Sequence, residues 1–147
     1  MKTISLRFTD KFSPKQGTIK AHEELIAKNG FVWYGKLGNA ISSKNIDVIM
    51  NNESPKFLLI HSGKVERYWV YVSEISKEIP PLEEIPQYYR HMASSFKVWF
   101  KVTKFELAEK DVVSKCTVIS SGEPLSLVSK HSMSPYFVIE YDKDKAL

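Results

Sequence analysis

"FKVWFKVTKFEL", residues 96–107, alternates in side-chain character with period two, a pattern that fits a β-strand and excludes an amphipathic helix. Phe96, Val98, Phe100 and Val102 share one face, and Lys97, Trp99 and Lys101 share the other. A strand this strong needs partners, so the chain must build a sheet around it. "ISLRFT" (Ile4 to Thr9) alternates in the same way. "KFLLIHSG" and "ERYWVYVSEI" read as a hairpin turning around Gly63 and Lys64, and "YFVIEY" follows a Ser134-Pro135 turn. "FVWYGKL" has strand composition, and "CTVISSGEPLSLV" reads as further strand before and after a Gly122 to Pro124 turn.

Helical signals are fewer. A helix is predicted from about Thr18, with Ile19, Leu25 and Ile26 near one face and Gly30 as its stop signal. "NAISSKNIDVIMNN" suggests a loop and a short helix. Pro80, Pro81 and Pro86 rule out a long helix or a central strand in "KEIPPLEEIPQYYRHMASS", which is read as a loop with a short helix after Pro86. Six or seven strands with two or three helices, lacking regular βα alternation, predict an α+β fold. Its expected architecture is a small curved, mostly antiparallel sheet or barrel flanked by helices.

With 43% hydrophobic residues in 147, the chain can bury a core and is expected to form one domain over residues 1–147. It stops soon after the last strand with "DKDKAL", as expected of a recognition domain cut from a larger protein. Lysine and arginine exceed acids by 21 to 17, giving a charge of +4, which points to a polyanion only where the cations cluster. Cys116 is the single cysteine, so no internal disulfide forms, and a reducing cytosol is expected. No apolar run approaches the roughly 20 residues of a membrane span, and no membrane role is expected.

Catalytic motifs are missing. His22, His61, His91 and His131 sit singly on different predicted elements, and "HEELI" fails at the fifth position of a zinc-protease motif. His22-Glu23 is read as a solvated helix face, and Cys116 as a small buried hydrophobe rather than a nucleophile paired with a histidine. "GKLGN" lacks the end of a P-loop, no serine sits in a nucleophile elbow, and Glu83-Glu84 reads as an exposed turn. A non-enzyme without cofactor or metal is expected. The unusual feature is aromatic: Trp99 lies between Lys97 and Lys101, and Trp69 shares a strand face with Tyr71. Rings interleaved with cations suit stacked bases and phosphates. A curved sheet buried on both faces would make the same tryptophans plain core.

The order of elements resembles the YTH domain and its EVE relatives in the PUA-like superfamily. In YTH domains a helix leads into a Gly-X-Trp segment and a Gly-Asn loop, resembled here by Gly30, Trp33 and Gly38-Asn39. The strand ending in a phenylalanine-serine pair is resembled by Ile60-His61-Ser62, and the "F-x-V-x-W-I" strand by "FKVWFKV". The likeness spans roughly Ile4 to Leu107.

That resemblance implies an aromatic cage for a modified base. YTH domains bind 6-methyladenine, and related domains at the front of Mcr-type restriction GTPases flip modified bases out of DNA. Trp33 would form one wall, with groups near Tyr34 and Gly35 on the base edge. The chain departs from the YTH pattern where the second tryptophan stands, because "IPPLEEIPQYYRHMASS" has none. Tyr88, Tyr89 or His91 would supply the other wall, or Trp69 would lean in from its strand. A cage built from tyrosine, or one with a different edge, would prefer a methylated or hydroxymethylated cytosine over methyladenine. Backbone contacts are expected from Lys36, Lys44, Arg90, Lys97, Trp99 and Lys101.

The resulting expectation is a domain that recognises a modified base in DNA as the specificity module of a restriction system, with a fused or associated GTPase motor and nuclease as partners. The alternatives are a reader of methylated RNA and a protein-interaction module with an ordinary aromatic core.

Overall fold

The computed structural model describes residues 1–36, 38, 40–61, 63, 65–132 and 134–145. Asn39, Ser62 and Lys64, on which the Gly-Asn loop, the Ile60-His61-Ser62 likeness and the hairpin turn partly rest, lie outside them. Among the described residues seven strands form one sheet: β1 (Lys2–Phe8), β2 (Val32–Lys36), β3 (Lys56–His61), β4 (Arg67–Ser76), β5 (Val98–Leu107), β6 (Cys116–Val118) and β7 (Tyr136–Tyr141). Their order is β2-β5-β4-β3-β1-β7-β6. Only β1 and β3 pair in parallel, and the other neighbours are antiparallel. The sheet is open rather than closed into a barrel, with β2 and β6 at its ends, so the α+β expectation holds in its open-sheet form.

Three α-helices accompany it, α1 (Thr18–Asn29), α2 (Ser43–Met50) and α3 (Leu125–His131), with tight 3₁₀ turns at Leu82–Glu84, Gln87–Ser95 and Val112–Lys115. α1 starts after Gly17, whose positive φ of 95° places no side chain at the helix mouth. Asp10 substitutes for the missing cap by accepting the Thr18 N–H at 3.0 Å. Gly30 closes the helix in the left-handed conformation, its N–H on the Ile26 carbonyl at 2.7 Å. α2 begins where the Ser42 hydroxyl accepts the Asn45 N–H. The reading of "LSLV" as strand is corrected. Pro124 pre-sets the first turn of a helix, and Leu125 and Val128, three residues apart, pack together against the sheet.

The sheet buries both faces, which corrects the polar-face reading of β5. Ile4, Leu6, Phe8, Tyr34, Phe57, Phe100 and Val102 face the main core, packed with Ile19 of α1 and Ile49 of α2. Opposite, Trp33, Tyr89, Phe96 and Trp99 make a second cluster. Trp99 has no exposed surface and cannot touch a nucleic-acid backbone. Phe96 precedes the strand and packs on Trp99 at 5.1 Å, leaving the face it was assigned with Val98. Trp69 belongs to a third cluster with Val112, Val113 and Leu125, its ring 4.9 Å from that of Tyr141.

Gly35 joins β2 to the proline-rich segment. A Cβ there would lie 2.7 Å from Phe96 Cγ and 3.0 Å from Trp99 Cζ3, closer than packed atoms tolerate, so both rings rest directly on the strand backbone. Gly35→Ala is expected to lower unfolding stability by about 1–3 kcal/mol through overpacking. Urea denaturation of the two proteins measures it, and an unchanged midpoint refutes the direct-packing account.

Candidate nucleic-acid interface

Among the described residues β2 pairs on one side only, with β5, in the register Trp33↔Lys101, Tyr34↔Phe100 and Gly35↔Trp99. Alternation sends Trp33 to the second cluster and Tyr34 to the main-core face. Tyr89 belongs to the second cluster yet also approaches the other face: its ring is 4.8 Å from Phe96 and 6.4 Å from Tyr34. The Gln87–Ser95 segment therefore spans both faces beside β2. Tyr34, Tyr88 and Tyr89 converge at a cavity of about 230 Å³, with Phe8, Phe12, Thr18, Lys36 and Met92 in its wall. This is smaller than the roughly 300–1,000 Å³ of sites for drug-sized ligands, and it suits a single flat ring system.

The cavity is aromatic but not greasy throughout. Burial raises the Tyr34, Tyr88 and Tyr89 hydroxyls above the ordinary phenol range, so all three stay neutral and keep their protons to donate. The Tyr88 hydroxyl is buried, and neither the Tyr89 nor the Thr18 hydroxyl beside it meets hydrogen-bond geometry. Lys36, 4% exposed, sets its ammonium 5.5 Å from the Tyr136 ring, and burial lowers its affinity for the proton. Arg7 also lines the cavity. Its guanidinium donates to the carbonyls of Ser129 and Ser132, both at 2.7 Å, and of Ser134 at 3.3 Å, tying the end of α3 to β1.

Behind this wall lies His22, whose reading as a solvated helix residue is overturned by 0% exposure. Its Nδ1 is 2.8 Å from the Thr18 carbonyl; a carbonyl only accepts, so Nδ1 holds the proton and Nε2 is a bare acceptor without a partner among the described residues. The rings of Tyr34 and Tyr89 stand 5.1 and 5.2 Å from it. The floor of the wall is pinned through Asp10. Burial raises its proton affinity, but hydrogen bonds from the Thr18 N–H and from His61 Nε2 outweigh it and hold the carboxyl below its usual range. The Gly63 N–H donates to His61 Nδ1 at 2.9 Å, completing the chain of bonds.

The cavity unites Tyr34, Gly35, Lys36, Tyr88 and Tyr89 from the sequence expectations. Arg90 lines a groove that shares Tyr88 with it. Trp33 does not line the cavity, a correction that follows from strand alternation; it is 7% exposed and its indole N–H donates to Glu84 at 3.1 Å. Trp69 is buried in the third cluster, and His91 is exposed outside the cavity lining. Lys44 and Lys97 are exposed away from the cavity wall, while Lys101 sits 4.4 Å over the Phe31 ring. Sequence reasoning missed Arg7, Phe8, Phe12, Thr18 and Met92. Phe8 was the discoverable one, because it continues the alternation of β1 onto the cavity side.

The buried histidine generates a pH dependence. Burial lowers its pKa from 6.5 to about 4, the Thr18 carbonyl opposing only in part. The unfolded chain therefore takes up a proton first as pH falls, and stability is full above about 6.5 and declines until about 4, by about 3 kcal/mol in all. His22→Leu should flatten urea-derived stability across that window. A wild-type slope retained in the variant would refute the assignment.

Among the described residues no helix is long and apolar enough to cross a membrane, and no cluster of His, Cys, Asp and Glu forms a metal site. Cys116 is a free, buried thiol that burial pushes up to about 12. Comparisons with curated proteins and with solved structures give no match. A protein-family model described as Pua-like does match, over residues 4–137, a stretch that holds β2 to β6 whole, β1 from Ile4 and the start of β7. PUA-like domains are generally non-catalytic modules that typically bind RNA or DNA. This chain belongs to the PUA-like family.

Proposed function

We propose that the domain recognises a modified base, inserted as an extruded or single-stranded nucleotide into the cavity walled by Tyr34, Tyr88 and Tyr89. The observation that carries this reading is a cavity of about 230 Å³ combining three neutral phenols with Thr18 and Lys36 in a PUA-like frame. The rings supply π-faces, each worth about 1–3 kcal/mol to a stacked base. The hydroxyls and the ammonium supply donors for carbonyl and ring-nitrogen edges. A methyl or hydroxymethyl group would replace water between apolar surfaces of Phe8 and Met92, while extrusion from a duplex would cost a few kcal/mol.

DNA is the favoured nucleic acid in this reading, with the domain serving as the specificity module of a modification-dependent restriction system in the cytoplasm. A fused or associated GTPase motor and nuclease would then be its partners. Arg90, at the groove that shares Tyr88, is the leading backbone contact, and Lys44, Lys97 and Lys101 would extend it.

Matched oligonucleotides carrying adenine, 6-methyladenine, cytosine, 5-methylcytosine or 5-hydroxymethylcytosine, as DNA and as RNA, test the proposal by fluorescence anisotropy. One modified base should be preferred, and Tyr88→Ala should weaken that complex about tenfold or more while unfolding like wild type. A requirement for the ribose 2′-hydroxyl would move the reading to RNA. Equal binding across the panel, or none at moderate salt, overturns it in favour of a protein-interaction module.

A further inference from the structure

The cavity accounts for one base, but its rim holds a ring that faces outward. Phe12 lines the cavity and is nevertheless 52% exposed. Isolated exposed apolar residues are ordinary on protein surfaces, and exposure alone would mean nothing. Phe12 differs in how firmly it is presented. Between β1 and α1 the chain makes two consecutive turns: the Ser13 N–H bonds the Asp10 carbonyl at 3.1 Å, and the Gly17 N–H bonds the Pro14 carbonyl at 2.9 Å. The Ser13 hydroxyl adds a second bond to Asp10 O at 2.8 Å. The Lys11 N–H bonds Thr9 Oγ1 at 3.2 Å, and the Thr18 N–H and hydroxyl close the segment on Asp10 Oδ1 and on the Thr9 carbonyl. Phe12 thus stands third in the first turn of a segment fixed at both ends.

Its surroundings suit a nucleotide. The Lys11 ammonium is 5.5 Å from the Phe12 ring, and Lys15 follows on the second turn. A half-exposed ring on a hydrogen-bonded turn with an ammonium beside it is a combination that stacks on a base while holding an adjacent phosphate. A base in the cavity places its chain neighbours at the rim, since consecutive nucleotides are covalently joined.

We propose that Phe12 is the stacking residue for the nucleotide next to the one held in the cavity. The role rests on the modified-base reading above and adds a second contact to it. In single strands the ring would lie on the flanking base; in a duplex it would enter the gap that an extruded base leaves, the wedge role apolar side chains play in unstacked steps.

The test compares wild type, Phe12→Ala and Phe12→Trp on free 6-methyladenosine and 5-methylcytidine nucleosides and on oligonucleotides carrying the same bases, with 2-aminopurine next to the modified base. Phe12→Ala should weaken oligonucleotide binding about tenfold more than it weakens nucleoside binding, because only the oligonucleotide reaches the exposed part of the ring, and should abolish the 2-aminopurine fluorescence change, and Phe12→Trp should restore both. A loss confined to duplexes supports the wedge form, and a loss confined to single strands supports the stacked form. Oligonucleotide affinity unchanged in Phe12→Ala, or lost in step with nucleoside affinity, overturns the Phe12 role alone. Failure of wild type to bind any of these probes overturns the modified-base reading together with it.

Discussion

The structure depends on the contact between one strand position without a side chain, Gly35, and two rings. Because Gly35 presents bare backbone, Phe96 and Trp99 close directly over β2, and the segment from Pro80 to Phe96 is drawn against an edge strand that has hydrogen-bonded neighbours on one side only. Edge strands of this kind invite pairing with foreign chains unless something covers them. Here the segment packed on the face of β2 also brings Tyr88 and Tyr89 beside Tyr34. Packing on the face of β2 and assembly of the cavity are one event.

Around that event the polar groups are arranged to stay neutral. His22 keeps its proton on Nδ1 and the tyrosines keep theirs, so among the described residues that line the cavity the charged groups are Arg7 and Lys36, with the Asp10 carboxylate behind the wall and the Lys11 ammonium over Phe12 at the rim. Arg7 is committed to three carbonyls at the end of α3, and Asp10 to Thr18 and His61. A cavity of neutral hydroxyls whose Arg7 and Asp10 charges are engaged offers a ligand shape and a hydrogen-bond pattern more than net charge. That is the demand made by two bases differing in a single small substituent.

The sequence made β1, α1, β2, the β3–β4 pair, β5 and β7 legible because each spans enough residues for its period or stop signal to show. It failed where packing decides. Period two puts Trp33 and Tyr34 on opposite faces, but nothing within "FVWYGKL" says which face borders a cavity; that depends on the proline-rich segment, whose three prolines erase any period. Trp99 between two lysines has the pattern of an exposed ring, and only the covering segment makes it core. "PLSLVSKH" is too short to separate helix from strand by periodicity. Phe12 and Thr18 come from a turn and a helix start, where side-chain direction follows hydrogen bonds rather than spacing.

The sheet order has a temporal side. β1 lies between β3 and β7, with the Met1 amino group donating to the Tyr141 carbonyl across 140 positions of sequence. Half of the ladder that holds β1, and the Arg7 anchorage on residues 129–134, therefore await the last portion of the chain described. Closing so large a loop is entropically expensive and slow compared with forming a hairpin such as β3–β4. On a ribosome the hairpin would be in place long before β1 gains its β7 ladder and Arg7 its carbonyl partners. Nascent chains would thus pass through a stage in which β1 is held from one side alone, and the wall that Leu6, Arg7 and Phe8 supply to the cavity is the last to become fixed.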